Sequence, residues 1–410
     1  MIESIIIAVV KIALLIGGLM TAAAYFVLLE RRMAAWVQDR VGPNRVGIPL
    51  TKIRLFGLGQ PLADGVKFIM KEEYTPAHVD RKLYLLAPIV ILTAALAVFA
   101  VIPFGSMIPP LSLGEWSSGQ PISLVVAPGV DVGMIYVFAL SSIAVYGVIL
   151  GGWASNNKYS FLGGLRSSAQ LVAYELPLGL GILGVVLATG SLDLDQVIRA
   201  QAASGWWFAI AQPLGFTVFV IAAFAEAARL PFDLPEAEQE LVGGYHTEYA
   251  GIKLLLFLVA EFLHMITASF LIAILFLGGW HFWFITGPVD GDITWVTAIL
   301  RVLVLTVKIV LVILFFMLVR WSWPRFRFDQ LMGLAWKVML PLGIVNFVAV
   351  AILEQLRTLS DGAAWMDWLF VIISWGVCIG AWVGISIVGP IIADNRPQRN
   401  LVPYGIDPQV

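Results

Sequence analysis

Hydrophobic positions along this 410-residue chain fall into long unbroken runs instead of alternating ones. Nine runs, at about 4–29, 83–103, 131–153, 170–190, 206–228, 252–280, 294–320, 332–354 and 368–391, are each long enough to cross a ~30 Å hydrocarbon core as a helix. Their continuity argues against a β-barrel, whose strands alternate over ~10 residues. Lone Pro and Gly residues inside the runs fit membrane helices, where neighbouring helices re-satisfy the freed backbone groups. The first run has no basic stretch before it and is too long for a cleaved signal peptide. The pattern predicts an all-α polytopic membrane protein with about nine transmembrane helices. No convincing internal repeat accompanies it, which weakens an inverted-repeat transporter reading.

One segment has a different period. In GLGQPLADGVKFIMKEEYTP (57–76), Leu62, Val66, Ile69 and Met70 form one apolar stripe, while Asp64, Lys67 and Lys71 share another face. Pro61 suits a first helical turn. The spacing predicts an amphipathic helix over 60–72 lying in the interfacial plane. On pattern alone, a passive surface anchor with a solvated polar face explains it equally well.

Composition agrees with the run pattern: 60% of residues are hydrophobic and 13% charged, against roughly 25% charged in a soluble domain. The placement of the charges carries more. Nineteen of the 25 Lys and Arg residues fall on one side of the predicted spans, ten of them in loop 30–82; Arg199 and Arg357 fall on the other, and Lys11, Arg301, Lys308 and Lys337 lie inside spans. The positive-inside bias then puts the N-terminus outside and the C-terminus in the cytoplasm. Loop 30–82 is longer than a tether needs, so soluble partners are expected to dock on that inner face. One cysteine, Cys378, can hold neither an iron–sulfur cluster nor an internal disulfide. The four histidines lack metal-ligand spacing, no Gly-rich phosphate loop follows a strand pattern, and nothing points to nucleic acid.

Scarce charge makes the remaining acids conspicuous. The stretch AEAARLPFDLPEAEQELVGGYHTEYAG (225–251) carries Glu226, Asp233, Glu236, Glu238, Glu240 and Glu248 against one base, Arg229. Two prolines around Phe232-Asp233 stiffen a turn there. If 236–240 is helical, Glu236 and Glu240 share a face; clustered carboxylates beside a membrane can store and pass protons, and a solvated acidic loop is the plainer alternative. Inside the spans lie Glu175, Glu261 with His264 at i+3, Lys308 with Arg301 on its face, and Lys337. Ionisable groups at such depth are costly and functional by default; a structural ion pair such as Glu261 with Lys308 is the alternative. Glu175, Glu226, Glu261 and Lys337 all fall in the cytoplasmic half, as a water-filled cavity opening there would require.

The motifs extend further than the physics. ERRMAAWVQDRVGPNRVG (30–47), QPLADGVKFIMKEEYTP (60–76), WASNNKYSFLGGLRSSAQLVAYELPL (153–178), the whole of 225–251, RWSWPRFRFDQLM (320–332) and Trp336-Lys337 resemble, in order and spacing over about residues 1–355, the quinone-tunnel membrane subunit (NuoH) of bacterial respiratory complex I, NADH:quinone oxidoreductase. The resemblance implies a subunit where the hydrophilic and membrane arms meet, forming the entrance of a quinone tunnel and coupling quinone reduction to proton translocation. It implies ubiquinone or menaquinone as substrate with no covalently bound cofactor. Electrons would come from NADH through flavin and clusters in partner subunits. The cluster-bearing hydrophilic arm would sit on the cytoplasmic face, with small and antiporter-like membrane subunits alongside, and membrane lipid around, in a bacterial cytoplasmic membrane. Carried onto matching positions, Glu30, Arg31, Arg40, Asp64, Lys67, Arg229 and Phe232 belong to the tunnel or junction. Glu175, Glu236, Glu238, Glu240, Glu248 and Glu261 form the carboxylate chain. Residues 356–410, with the ninth span, lie beyond the shared eight-span core, and outer loop 104–130 is longer than in compact members. A related hydrogenase membrane subunit and a stand-alone cation/proton transporter are the competing classes.

Overall fold

The computed structural model describes residues 2–47, 56–110, 112–113, 116–117, 120–234, 238–283, 285–289, 291, 293–360 and 364–392. Among them, eight helices are long and apolar enough to cross a membrane. They comprise α1 (Ile2–Val37), α3 (Arg81–Ala97, extended by a 3₁₀ turn), α4 (Gly133–Ala154), α5 (Lys158–Thr189), α10 (Gly251–Phe276), α11 (Trp295–Ser322), the composite of α12 (Phe328–Gly333) and α13 (Leu340–Leu359), and α14 (Ala364–Ile392). Shorter helices are α2 (Gln60–Met70), α6 (Leu194–Ser204), α7 (Phe208–Ala211), α8 (Pro213–Glu226) and α9 (Glu238–Leu241). The strands among the described residues are two-residue ladders, Met107–Ile108 with Ile122–Ser123 and Ser112–Leu113 with Trp116–Ser117, in the 101–132 loop.

The expected span at 206–228 is the one that differs. Pro213 removes a backbone donor after Gln212, and the run becomes α7 followed by α8. At 14 residues α8 is ~21 Å long, short of the ~30 Å core. It survives by packing on α5, α10, α13 and α14, and the Gln212 amide donates to Gly184 O at 3.1 Å. A π-helical stretch, Leu334–Met339, joins α12 to α13 just before Pro341, whose ring excludes a regular preceding turn. Helix α5 starts twelve residues before its apolar run.

Helix α10 is the most enclosed span, α1 and α14 the least. Close approaches of α5 to α4 and to the 244–246 turn rest on glycine: a Cβ on Gly152 would meet Ser160 O at 2.7 Å, and one on Gly163 would meet the backbone of Gly244 and Tyr245 at 2.7 Å. Helix α2 buries none of its residues. Its stripe of Leu62, Val66, Ile69 and Met70 is exposed, as expected of a helix that dips its apolar face into a bilayer.

The two bundle ends differ in chemistry. At one, Asp80 caps α3 and its amide donates to Ala154 O, and Asn157 caps α5; the basic loops gather there. The opposite end is pinned by three buried or half-buried cations. Lys11 donates to Val125 O at 3.1 Å. Arg301 donates to Ser106 Oγ at 3.0 Å and Pro288 O at 2.7 Å and lies over the Trp280 ring. Lys308 spends its three donors on Leu277 O (2.6 Å), Gly279 O (2.9 Å) and His281 O (2.7 Å), carbonyls at the C-terminal end of α10, where a cation is favoured. The Glu261–Lys308 pair considered above is therefore absent: each has other partners.

A charge chain and a carboxylate cavity

Helix α8 ends at Glu226, and the chain turns sharply through Ala228, whose φ is +50°. Gln170 of α5, fully buried, fixes that turn by donating to Ala225 O (2.8 Å) and Phe232 O (2.7 Å). The turn aims Arg229 into the bundle and leaves it 4% exposed.

Arg229 bridges two elements. Its Nη1 lies 3.4 Å from Glu30 Oε2 on α1, and its Nε lies 3.1 Å from Glu261 Oε1 on α10. Its guanidinium also sits 4.3 Å over the Phe262 ring. Glu30 binds Arg320 of α11 with its other oxygen. The result is a chain, Arg320–Glu30–Arg229–Glu261, in which charges alternate. Buried charges stay ionised only when paired like this. A neighbouring pair, Arg325–Asp233 at 3.1 Å, and the backbone bond Phe326 N to Pro231 O at 3.1 Å lock the same turn against the 323–327 loop. Phe232 is buried, stacked on Phe326 and tilted against Tyr174.

Behind Glu261 lies a cavity of about 60 Å³, room for a few waters at ~10–15 Å³ of such space each. Glu175, Glu226, Glu261, His264 and Tyr245 line it, with Ser141 and Ser142 on the facing helix α4. The Ser142 hydroxyl donates to Glu175, and Ser141 hydrogen-bonds Glu226. Three carboxylates, an imidazole, a phenol and serine hydroxyls around a water-sized space form a set through which a proton can be held or passed.

The other predicted residues sit nearer the surface. Arg31 reaches Asp64 at 2.7 Å, and Lys67 reaches the other oxygen at 3.4 Å, so the interfacial helix is tied to the end of α1 beside Glu30. The backbone amide of Arg40 closes the turn after α1 on Ala35 O at 2.7 Å, and its side chain is exposed. Glu240 pairs with Arg166 at 2.6 Å on the exposed end of α5. Glu248 accepts from Asn157 at 2.6 Å and lies 3.9 Å from His78. Next to it, Tyr249 and Tyr84 stack at 4.1 Å, each hydroxyl bonding backbone of the other's segment, and burial pushes the Tyr249 phenol up. Glu238 opens α9, and Glu236 lies outside the described residues.

Of the carboxylates that the resemblance implied, then, Glu175 and Glu261 share the cavity, whereas Glu240 and Glu248 line the rim of the bundle end. Six members of the site lie outside the implied set: Glu226, Ser141, Ser142, Tyr245, His264 and Arg320. The adjacent serines interrupt an otherwise apolar span, which is a readable signal. Nothing near Arg320 in sequence marks its partner, 290 residues away.

A family model described as NADH dehydrogenase matches residues 10–351. NADH-quinone oxidoreductase subunit 8 of Thermus thermophilus is 47% identical over 347 residues, 84% of this chain and 86% of that protein. The H 1 subunit of the same-named enzyme in Geobacter metallireducens is 46% identical over 347 residues, covering 85% and 96%. The H 1 subunit in Cytophaga hutchinsonii is 45% identical over 327 residues, covering 80% and 90%.

Proposed function

The chain belongs to the NuoH family, the H-type membrane subunits of NADH-quinone oxidoreductase, and from that premise we propose that it lines the quinone passage and couples quinone reduction to proton movement through the cavity carboxylates. It is a multi-pass membrane subunit of an enzyme whose substrate is a quinone, and the other subunits of that enzyme are its partners. The basic end faces the cytoplasm and receives the hydrophilic arm; the membrane is the bacterial cytoplasmic one. Glu30, Arg31, Arg40, Asp64, Lys67, Arg229 and Phe232 shape the passage between α1, α2 and the 229–234 turn. Glu240 and Glu248 feed protons from the rim, and Glu236 and Glu238 act in the same relay.

The observation that carries this reading is the shared guanidinium of Arg229, which joins the α1–α2 side to the cavity carboxylate Glu261. Reduction of a quinone places transient negative charge or a demand for two protons beside the passage. Negative charge there competes with Glu261 for Arg229. A carboxylate deprived of its cation in a poorly solvated cavity binds a proton, and the adjacent Glu226, Glu175 and serines relay it. Release of that proton follows when Arg229 returns. The 229–234 turn is the two-position element that this scheme needs.

Replacing Glu261 with Gln keeps the shape and hydrogen-bonding capacity but removes the titratable charge. In membrane vesicles, E261Q is expected to assemble and to reduce an artificial acceptor with NADH at the normal rate, while coupled quinone reduction and vesicle acidification fall together. A fully coupled E261Q enzyme would sink the role given to this carboxylate.

A further inference from the structure

We propose that Gln170 is a positioning residue for the coupled reaction: its amide latches the 225–232 turn in the position that delivers Arg229 to Glu261. The inference rests on the two-position turn described above and names what holds one of its positions. Gln170 lies in α5 and is fully buried. Its Nε2 donates to Ala225 O at 2.8 Å and to Phe232 O at 2.7 Å. One amide therefore grips the turn on both sides of Arg229. The surroundings fix the amide's orientation, since turning it over would set its oxygen against two carbonyl oxygens. Polar ties at Pro231 and Asp233 run to the 323–327 loop; Gln170 ties the turn to a membrane span.

Two features separate a latch from ordinary packing. First, neither carbonyl depends on the glutamine. Ala225 O also accepts from Ala228 N at 3.3 Å, and Phe232 O from Leu234 N at 3.0 Å. Each keeps a backbone donor when the amide lets go, so release leaves no buried carbonyl bare. Second, the glutamine is costly where it stands. Among the described residues no group donates to its buried Oε1, a desolvation penalty that an apolar side chain of the same length would avoid. Packing alone would favour methionine. What the amide adds is a pair of breakable bonds on the segment that carries Arg229. Its place suits that task. Ser167, one turn earlier in α5, and Leu171, next to it, both line the carboxylate cavity, so the latch lies between the turn and the carboxylates that Arg229 controls.

The test uses the intact complex in sealed vesicles. Gln170→Met keeps the length and removes both hydrogen bonds. Gln170→Glu is nearly isosteric and, neutral between two carbonyl oxygens, keeps one. Losing two bonds of ordinary net strength raises the share of the released turn about 30-fold, and losing one about fivefold. Arg229 then leaves Glu261 without a signal from the quinone, and protons move out of step with reduction. The readout is protons translocated per quinone reduced, at equal content of assembled complex. That ratio is expected to fall in the order wild type, Q170E, Q170M. A structural role alone would lower the yield of complex and leave the ratio of the assembled fraction untouched. A normal ratio in Q170M, or in Q170E if Q170M does not assemble, overturns the proposal. E261Q separates the two levels. If E261Q is uncoupled and the Gln170 variants keep the normal ratio, the latch fails and the carboxylate relay stands; a fully coupled E261Q removes both.

Discussion

Replacing Arg229 by methionine is the sharpest perturbation of the charge chain. Methionine keeps an unbranched apolar stem of similar reach and removes the guanidinium. Three interactions go: Nε to Glu261 at 3.1 Å, Nη1 to Glu30 at 3.4 Å, and the cation over Phe262 at 4.3 Å. Breaking a buried ion pair costs about 3–5 kcal/mol, because the surviving charge is left without a partner. Glu30 still has Arg320, so Glu261 bears most of that cost. The desolvated cation–π contact adds about 2 kcal/mol, and water in the adjoining cavity offsets part of the total. About 3–4 kcal/mol is therefore the expected loss. If the cost is the orphaned charge of Glu261, then adding Glu261→Gln to R229M restores about 2–3 kcal/mol, a coupling within the range of neighbours in one network. Thermal inactivation of the purified complex, scored by NADH:quinone activity and by retention of this subunit on native gels, should rank wild type and E261Q above the double variant, and the double variant above R229M. An R229M enzyme as stable as wild type, or a double variant no better than R229M, refutes the reasoning.

Three further outcomes follow from particular contacts. Asp64→Asn loses an exposed pair with Arg31 and Lys67, worth about 0–1 kcal/mol; stability should hold while the KM for quinone rises, and unchanged quinone kinetics count against a passage role for α2. Gly163→Ala puts a methyl 2.7 Å from the backbone of Gly244 and Tyr245, an overpacking cost of about 1–3 kcal/mol; limited proteolysis of the 238–246 segment should accelerate. His281 is held below its ordinary value of 6.5 by burial first, then by Lys308 and Arg301. Its neutral form therefore stabilises the fold above about pH 6.5, and that contribution is lost as pH falls through the lowered value. Hydrogen exchange in 277–283, corrected for intrinsic rate, should show more opening at about pH 5.5 than at about pH 7.5, and His281→Gln should flatten the dependence; a pH-independent wild type contradicts the assignment.

Span positions were legible because the hydrocarbon core imposes one length on every apolar run. The rule fails where a helix stops short for other reasons. Residues 206–228 are apolar enough to span, yet Pro213 divides them, and only contacts with α5, α10, α13 and α14 make a 14-residue helix tenable there. Those contacts come from all along the chain and leave no local trace. The same limit applies to α5, whose polar start at Lys158–Arg166 hid a continuous helix of 32 residues. Its first turns are held by the Asn157 cap and by glycine-mediated contact with α4, neither of which is hydrophobic periodicity.

The charged residues teach a related lesson about depth. Counting along apolar runs places both Glu261 and Lys308 well inside the membrane, so a pair between them is a natural expectation. In the fold, Glu261 faces Arg229 from the eleventh residue of α10, while Lys308 binds the carbonyls after that helix's last turn, some sixteen residues or ~24 Å further on. The run 252–280 continued past the true helix end at Phe276, because residues 277–281 are largely buried although they are not helical. Backbone of that kind is tolerated at depth only when its carbonyls are satisfied, and a lysine in a neighbouring span is what satisfies them. Lys308 holds that irregular loop through its three carbonyl contacts. At the other end of the bundle the counter-ion of Glu261 is an arginine, and the Arg229 guanidinium is shared by two carboxylates at once, Glu30 and Glu261.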